Sequence, residues 1–206
     1  MRKGHVFVID DDRVLCESIG NLLTFYGYQV MTWTEPARFI EEVPPHRPAV
    51  VLTDMGMPEV NGLALHESLL QQGLAVPVVY ISGETSVQQA ITAMKMGALN
   101  FLLKPFTSES LLEAIDKGIE QDRARVDAIA QQARFDDTLA LLSPRERQVY
   151  GLLLKGMSNP EIMEALHLAM PTVKQYKYEV MRKLEVRSFA ELLEKSRVQP
   201  ASQLEN

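Results

Sequence analysis

Short apolar runs alternate with longer amphipathic stretches over the first 120 positions of the 206-residue chain. "HVFVID" precedes Val14–Phe25, "YQVMTW" precedes Pro36–Glu42 and "AVVLTD" precedes Leu63–Gln71. "PVVYIS" then precedes Val87–Met96, and "NFLLK" precedes Leu111–Ile119. Runs that are apolar on both faces predict strands covered on both sides, and the helical periodicity between them predicts what covers them. Five strand–helix pairs with right-handed crossovers predict a doubly wound α/β domain around a five-stranded parallel sheet.

The pattern changes near Ser108. From there to Arg134 the chain has no proline and one glycine, Gly118. Apolar residues at Leu111, Ile115, Ile119, Val126, Ile129 and Ala133 predict a long helix with a narrow seam, which Asp122 interrupts. Past Arg123 two readings stand, a helical connector with partial coiled-coil character or a frayed, flexible linker. Then Ser143-Pro144-Arg145-Glu146 reads as a capping box with proline at the first helical position, and Gly156 as a stop. Ser158-x-x-Glu161 and Ser188-x-x-Glu191 are two further boxes, predicting short helices near Pro160–Leu166 and Phe189–Ser196 with "MPTVKQYKYEVMRKL" as a helix between them. The expected organisation is a first domain at 1–122, a helical linker at 123–138 and a small all-α helix-turn-helix domain at 139–206, with a disordered tail from Gln199.

In a doubly wound sheet, ligands sit beyond the carboxyl ends of the strands. Asp10 and Asp11 end the first strand, Asp54 the third, Ser82 the fourth and Lys104 the fifth, so polar residues from four segments converge on one edge. Carboxylates this close repel and need a cation, and an all-oxygen set suits Mg²⁺. A metal beside Asp54 leaves that carboxylate able to attack a phosphoryl group and form an acyl phosphate, with Ser82 and Lys104 on the phosphoryl oxygens. A rival reading is enzymatic. "DDDRVL" also fits the D-x-D-x-V pattern of haloacid-dehalogenase-type phosphatases, with Asp10 as nucleophile and Asp12 as acid/base, but the acidic pair needed after the fourth strand is reduced to Glu84.

Charge separates the two halves. Residues 1–120 hold 8 Lys/Arg against 15 Asp/Glu, whereas residues 141–206 hold 10 against 8, so an acidic front precedes a mildly basic back. Lys174, Lys177, Arg182, Lys183 and Arg187 cluster in the back half against Glu179 and Glu185, a footprint suited to phosphates. On the helix from Thr172, Val173, Val180 and Leu184 share one face with Tyr176 beside them, while Lys174, Gln175, Tyr178 and Arg182 lie opposite and Lys177 and Lys183 flank that face. Two short helices and a tight turn predict a helix-turn-helix that lays this helix in a major groove; a helical protein-interaction module is the alternative. The single cysteine, Cys16, excludes an internal disulfide and reads as core filler. No 18-residue apolar run or signal-peptide pattern is present, so a cytoplasmic protein with no membrane contact is expected.

The first half resembles the receiver domain of two-component response regulators, a flavodoxin-like fold. Asp10-Asp11, Asp54-Met55-Gly56-Met57-Pro58 with Gly62, Ser82-Gly83 and Lys104-Pro105-Phe106 carry the likeness. The resemblance implies Asp54 as phosphoacceptor, Asp11 as a direct Mg²⁺ ligand, Asp10 as one acting through water, and the Gly56 carbonyl as a third protein ligand. It also implies a cis Lys104–Pro105 bond and a switch aromatic at Phe101 coupled to Ser82, while the position of Asp12 just before Arg13-Val14 reads as a helix cap. Gly56 leaves no side chain to shield the acyl phosphate, and phenylalanine at 101 lacks the hydroxyl of a tyrosine.

The segment from Leu142 to Leu193 resembles the LuxR-type DNA-binding domain, through Leu142-Ser143-Pro144-Arg145-Glu146, Gly156, Ser158-Asn159, Glu161-Ile162, Thr172-Val173-Lys174 and Arg182-Lys183-Leu184. It departs at Ala169, Pro171, Tyr176 and Glu185. Together the halves are similar to the NarL/FixJ class of response regulators. That implies DNA contacts from Thr172, Lys174, Gln175, Lys177, Tyr178, Arg182 and Lys183, a sensor histidine kinase as partner, a pseudo-palindromic double-stranded operator and a phosphorylation-dependent homodimer. No turnover is then expected beyond phosphorylation and dephosphorylation of Asp54 itself.

Overall fold

Residues 3–83 and 87–196 are described by the computed structural model. The chain divides into two compact units between Asp127 and Ala128. Glu84 and the tail from Gln199 lie outside the described residues.

In the first unit, strands β1 (His5–Ile9), β2 (Gln29–Trp33), β3 (Ala49–Asp54), β4 (Val78–Ser82) and β5 (Asn100–Leu103) form one sheet in the order β2-β1-β3-β4-β5. Every pairing is parallel. Between the strands run α1 (Arg13–Phe25), α2 (Pro36–Glu41), α3 (Gly62–Gln71) and α4 (Val87–Lys95), and α5 (Ser108–Ala140) follows β5. The doubly wound α/β architecture expected from the alternation is therefore the observed one.

Successive strand residues point to opposite faces, so the sheet carries two cores. Val6, Val8, Val50, Leu52, Val79 and Ile81 pack against Cys16, Ile19 and Leu23 of α1 and Leu111, Ile115 and Ile119 of α5. Phe7, Ile9, Val51, Val78 and Tyr80 pack against Phe39 of α2, Leu65 and Leu69 of α3 and Ala93 of α4. Cys16 is core filler, and burial pushes its thiol up to about 11. Only the inner strands are covered on both faces, because β2 and β5 are edges, with Met31 and Leu103 exposed.

Helix α5 departs from its sequence reading in two respects. Leu111, Ile115 and Ile119 are buried, but Val126 is half-buried, while Ile129 and Ala133 are exposed, so the predicted seam does not continue as a packed stripe. Asp122 is no mere interruption. It is buried, its Oδ2 accepts the Ala49 backbone N–H at 2.7 Å at the start of β3, and Arg47 Nη1 stands 3.7 Å away. Helix α5 is thereby tied to the sheet by its own carboxylate.

The second unit is all-α. Phe135, which falls inside the segment 123–138 expected as linker, is instead part of this unit's core, with Leu139 packed against it. Helices α6 (Pro144–Leu154), α7 (Asn159–Leu166), α8 (Met170–Lys183) and α9 (Phe189–Ser196) contribute Val149, Tyr150, Leu153, Ile162, Val173, Val180 and Leu192. Ser143 and Glu146 form the capping box of α6, and Gly156 ends that helix region with φ +77°. At the start of α7, Glu161 Oε2 accepts from both the Ser158 N–H and its hydroxyl. At the start of α9 the box is offset by one residue: Ser188 Oγ accepts the Glu191 N–H, while Glu191 reaches back to the Arg187 N–H.

Candidate phosphoryl site and nucleic-acid interface

The carboxyl ends of β1, β3 and β5 deliver three groups to one place. Lys104 Nζ lies 2.6 Å from Asp54 Oδ1 and 2.9 Å from Asp10 Oδ2. Asp54 is nearly buried and its other oxygen, Oδ2, accepts the Gly56 N–H at 2.6 Å. Asp10 Oδ1 accepts the Asp12 N–H at 2.9 Å. Ser82 is buried at the end of β4, and its carbonyl takes the Lys104 N–H at 2.8 Å, which holds the root of the lysine beside the hydroxyl. The Lys104–Pro105 bond is cis, as is Arg47–Pro48.

Two carboxylates against one ammonium leave a surplus negative charge. Burial raises the Asp10 carboxyl above the ordinary carboxylate range, opposed by the Lys104 hydrogen bond and the Asp12 N–H. Burial pulls the Lys104 ammonium down, but its bonds to Asp54 and Asp10 outweigh that and hold it protonated. The pocket can therefore take a hard cation through oxygen atoms alone. Among the described residues no three His, Cys, Asp or Glu side chains are gathered as a ready metal cage. Asp10 and Asp54 converge on Lys104, whereas Asp11 is exposed beside them. A donor set of two such carboxylates, the neighbouring Asp11 and a backbone carbonyl still suits Mg²⁺, which keeps several of its own waters.

Asp12 takes no part in the pocket. Its Oδ1 accepts from the Val14 and Leu15 N–H groups at 2.9 and 3.1 Å, so it is the N-cap of α1. The D-x-D reading loses its acid/base residue to that cap.

Close packing fixes the end of β3. Gly62 begins α3, where an added Cβ would overlap the Asp54 carbonyl oxygen and stand 3.2 Å from Tyr80 Cε1. Asn61 caps α3 through the Ala64 N–H. Phe101, half-buried on β5, pairs across the sheet with Tyr80, their ring centroids 6.4 Å apart.

In the second unit, His167 closes α7 in the left-handed conformation and Ala169 starts α8 without a side-chain cap. Val173, Val180 and Leu184 are buried and Tyr176 packs against them. Lys174, Gln175 and Tyr178 are exposed, Lys177 is half-buried, and Thr172 stands half-buried in the first turn. Lys174, Lys177, Arg182 and Arg187 surround a shallow depression floored by Met181 and Val186, with Tyr178 at its side. Arg182 is paired with Glu179 at 2.7 Å. Lys183 is half-buried, and its Nζ lies 2.6 Å from Glu146 Oε2 and 3.4 Å from the Leu141 carbonyl, an ion pair that its reading as a DNA contact did not include.

Sequence comparison bears on both units. Residues 6–116 match the response regulator receiver domain, and residues 140–195 match the luxR family of bacterial regulatory proteins. The chain is 35% identical over 190 residues to the tetrathionate response regulatory protein TtrR of Salmonella typhimurium, covering 91% of this chain and 89% of that one. It is 34% identical to the transcriptional regulatory protein FixJ of Bradyrhizobium diazoefficiens, covering 93% of each. Among solved structures, response regulator StyR matches with a TM-score of 0.80 at 34% identity, over 95% of this chain and 98% of that one.

Proposed function

Since the chain belongs to the response regulators of the NarL/FixJ type and is a phosphorylation-controlled transcriptional regulator, we infer that its switch is thrown by phosphoryl transfer to Asp54. The observation that carries this is the convergence of Asp54 and Asp10 on Lys104 Nζ at 2.6 and 2.9 Å, at the carboxyl edge of the sheet.

Asp54 Oδ1 attacks the phosphorus of a phosphohistidine on a sensor histidine kinase. The new O–P bond forms as the P–N bond breaks, and the imidazole leaves. Lys104, a fixed point charge, moves from the carboxylate to a phosphoryl oxygen, and the Ser82 hydroxyl donates to another. Asp10, Asp11, Asp54 and the Gly56 carbonyl would hold Mg²⁺, which when bound neutralises charge on the transferring group. Movement of Ser82 toward the phosphoryl group vacates space beside β5, and Phe101 turns inward to fill it. The remodelled face of α4 and β5 favours a homodimer, whose two-fold symmetry suits a pseudo-palindromic operator. Lys174, Gln175 and Tyr178 then face base edges, with Lys177, Arg182 and Arg187 on phosphates and Thr172 at the helix start. A cytoplasmic location follows from both partners, the kinase and DNA; among the described residues no helix is long and apolar enough to cross a membrane.

Mass spectrometry of the protein treated with a small acyl-phosphate donor tests the site. One phosphoryl group on Asp54, dependent on Mg²⁺ and absent from Asp54→Asn, is the expected result. Full labelling of Asp54→Asn, or labelling that survives a chelator, overturns it.

A further inference from the structure

His66 of α3 and Tyr80 of β4 are both buried, and their side chains meet inside the apolar layer beneath α3. His66 Nδ1 lies 2.9 Å from the Tyr80 hydroxyl, with ring centroids 5.9 Å apart. Burial lowers the His66 imidazole below its ordinary value and raises the Tyr80 phenol, so both are neutral at neutral pH and share one hydrogen bond in a dry setting. A polar pair there is costly unless satisfied, yet the same layer is otherwise built from Phe7, Ile9, Val51 and Leu65. The phosphoryl chemistry uses neither residue.

The position of the pair supplies a reason for it. Tyr80 stands two residues before Ser82, on the same side of β4, and directly opposite Phe101 on β5. Its ring lies between His66 on the α3 side, where a Cβ added at Gly62 would stand 3.2 Å from Cε1, and Phe101 on the other. Phe101 is only half-buried, and an inward turn brings its ring against that of Tyr80. How far Tyr80 can yield toward α3 depends on its hydroxyl, because the hydrogen bond to His66 ties the ring on that side.

Resting on the reading of Phe101 as the switch aromatic, we propose that His66 and Tyr80 form a buried stop for that switch: the hydrogen bond pins the Tyr80 ring in the path of Phe101, and so sets the resting balance between outward and inward states. Tyr80 and His66 are positioning residues in this scheme. They act on the response to phosphorylation and not on phosphorylation itself.

The test uses the full chain with 4-fluorophenylalanine in place of Phe101, read by fluorine NMR before and after treatment with Mg²⁺ and acetyl phosphate. Tyr80→Phe keeps the ring and removes the pin. It should raise the inward population of the unphosphorylated protein roughly two- to tenfold, the equilibrium weight of one hydrogen bond. His66→Leu should do the same, whereas His66→Gln, which retains a partner for the hydroxyl, should stay near the parent. Rates of Asp54 labelling should be unchanged in all three. If the parent signal responds to phosphorylation and Tyr80→Phe matches the parent in both states, the stop is overturned while the switch reading stands. A parent signal indifferent to verified Asp54 labelling overturns the switch reading, and the stop with it.

Discussion

Lys183 Nζ sits 2.6 Å from Glu146 Oε2, so the last turn of α8 is bonded to the capping box that starts α6. Lys183→Met, which keeps most of the aliphatic stem, should destabilise the second unit by roughly 1–3 kcal/mol in denaturant unfolding. The Lys183 hydrogen bond holds the Glu146 carboxyl below its ordinary 4.5. This contribution is therefore complete above pH 4.5 and is lost as pH falls through the lower folded value. In the variant that acid-side loss should flatten.

Asp122 carries the corresponding load in the first unit. Asp122→Ala would leave the Ala49 N–H and the Arg47 guanidinium, whose Nη1 is buried, without their carboxylate. A cost of about 3 kcal/mol is expected in denaturant unfolding of that unit, and Asp122→Asn should recover part of it.

Under the proposed Mg²⁺ binding, Lys104 and the cation would compensate the same carboxylates. Replacing Lys104 with methionine should make the fold more dependent on Mg²⁺, so that saturating Mg²⁺ raises the melting temperature of Lys104→Met by more than that of the parent. Thermal unfolding with and without Mg²⁺ reads this difference directly.

Burial depresses the His66 pKa below 6.5. The unfolded chain then binds the proton more readily than the folded one, so receiver stability is fully present above pH 6.5 and declines as pH drops through the folded value. His66→Gln should remove that share of the slope between pH 7 and the folded value, measured by urea midpoints across the range.

On DNA, residues that read bases and residues that hold phosphates should separate by their salt behaviour. Gln175→Ala should cost roughly 1–3 kcal/mol on a cognate site and relax preference at one position. Lys177→Ala should weaken all sequences alike and lower the salt slope by about one. A change of base preference in Lys177→Ala with none in Gln175→Ala would reverse the orientation of α8 in the groove.

The sheet was legible because its inner strands are apolar on both faces, and the meeting of Asp10, Asp54 and Lys104 because each ends or follows a strand. The cap role of Asp12 was legible for the same local reason. What stayed hidden depends on contacts distant in sequence. Asp122 looked like a flaw in a seam because its partner, Ala49, lies 73 positions away. The ion pair of Lys183 stayed hidden because positive charge alone does not reveal that Glu146 waits 37 positions earlier. His66 and Tyr80 each passed as ordinary members of an amphipathic helix and a buried strand. Phe135 sat in a segment whose polarity suggested a connector, although its ring belongs to a core.

Gly62 gives the surroundings of Asp54 an asymmetry in packing. With no Cβ, the first turn of α3 lies directly on the main chain of Asp54, and the strand it abuts is the middle of five. That side is stiff. Toward β5 the sheet runs out to an edge strand with a half-buried ring and an exposed Leu103, and that side is loosely covered. If Asp54 is phosphorylated as proposed, a displacement there has room to pass toward β5 and little toward α3, so the packing around Asp54 gives its response a direction.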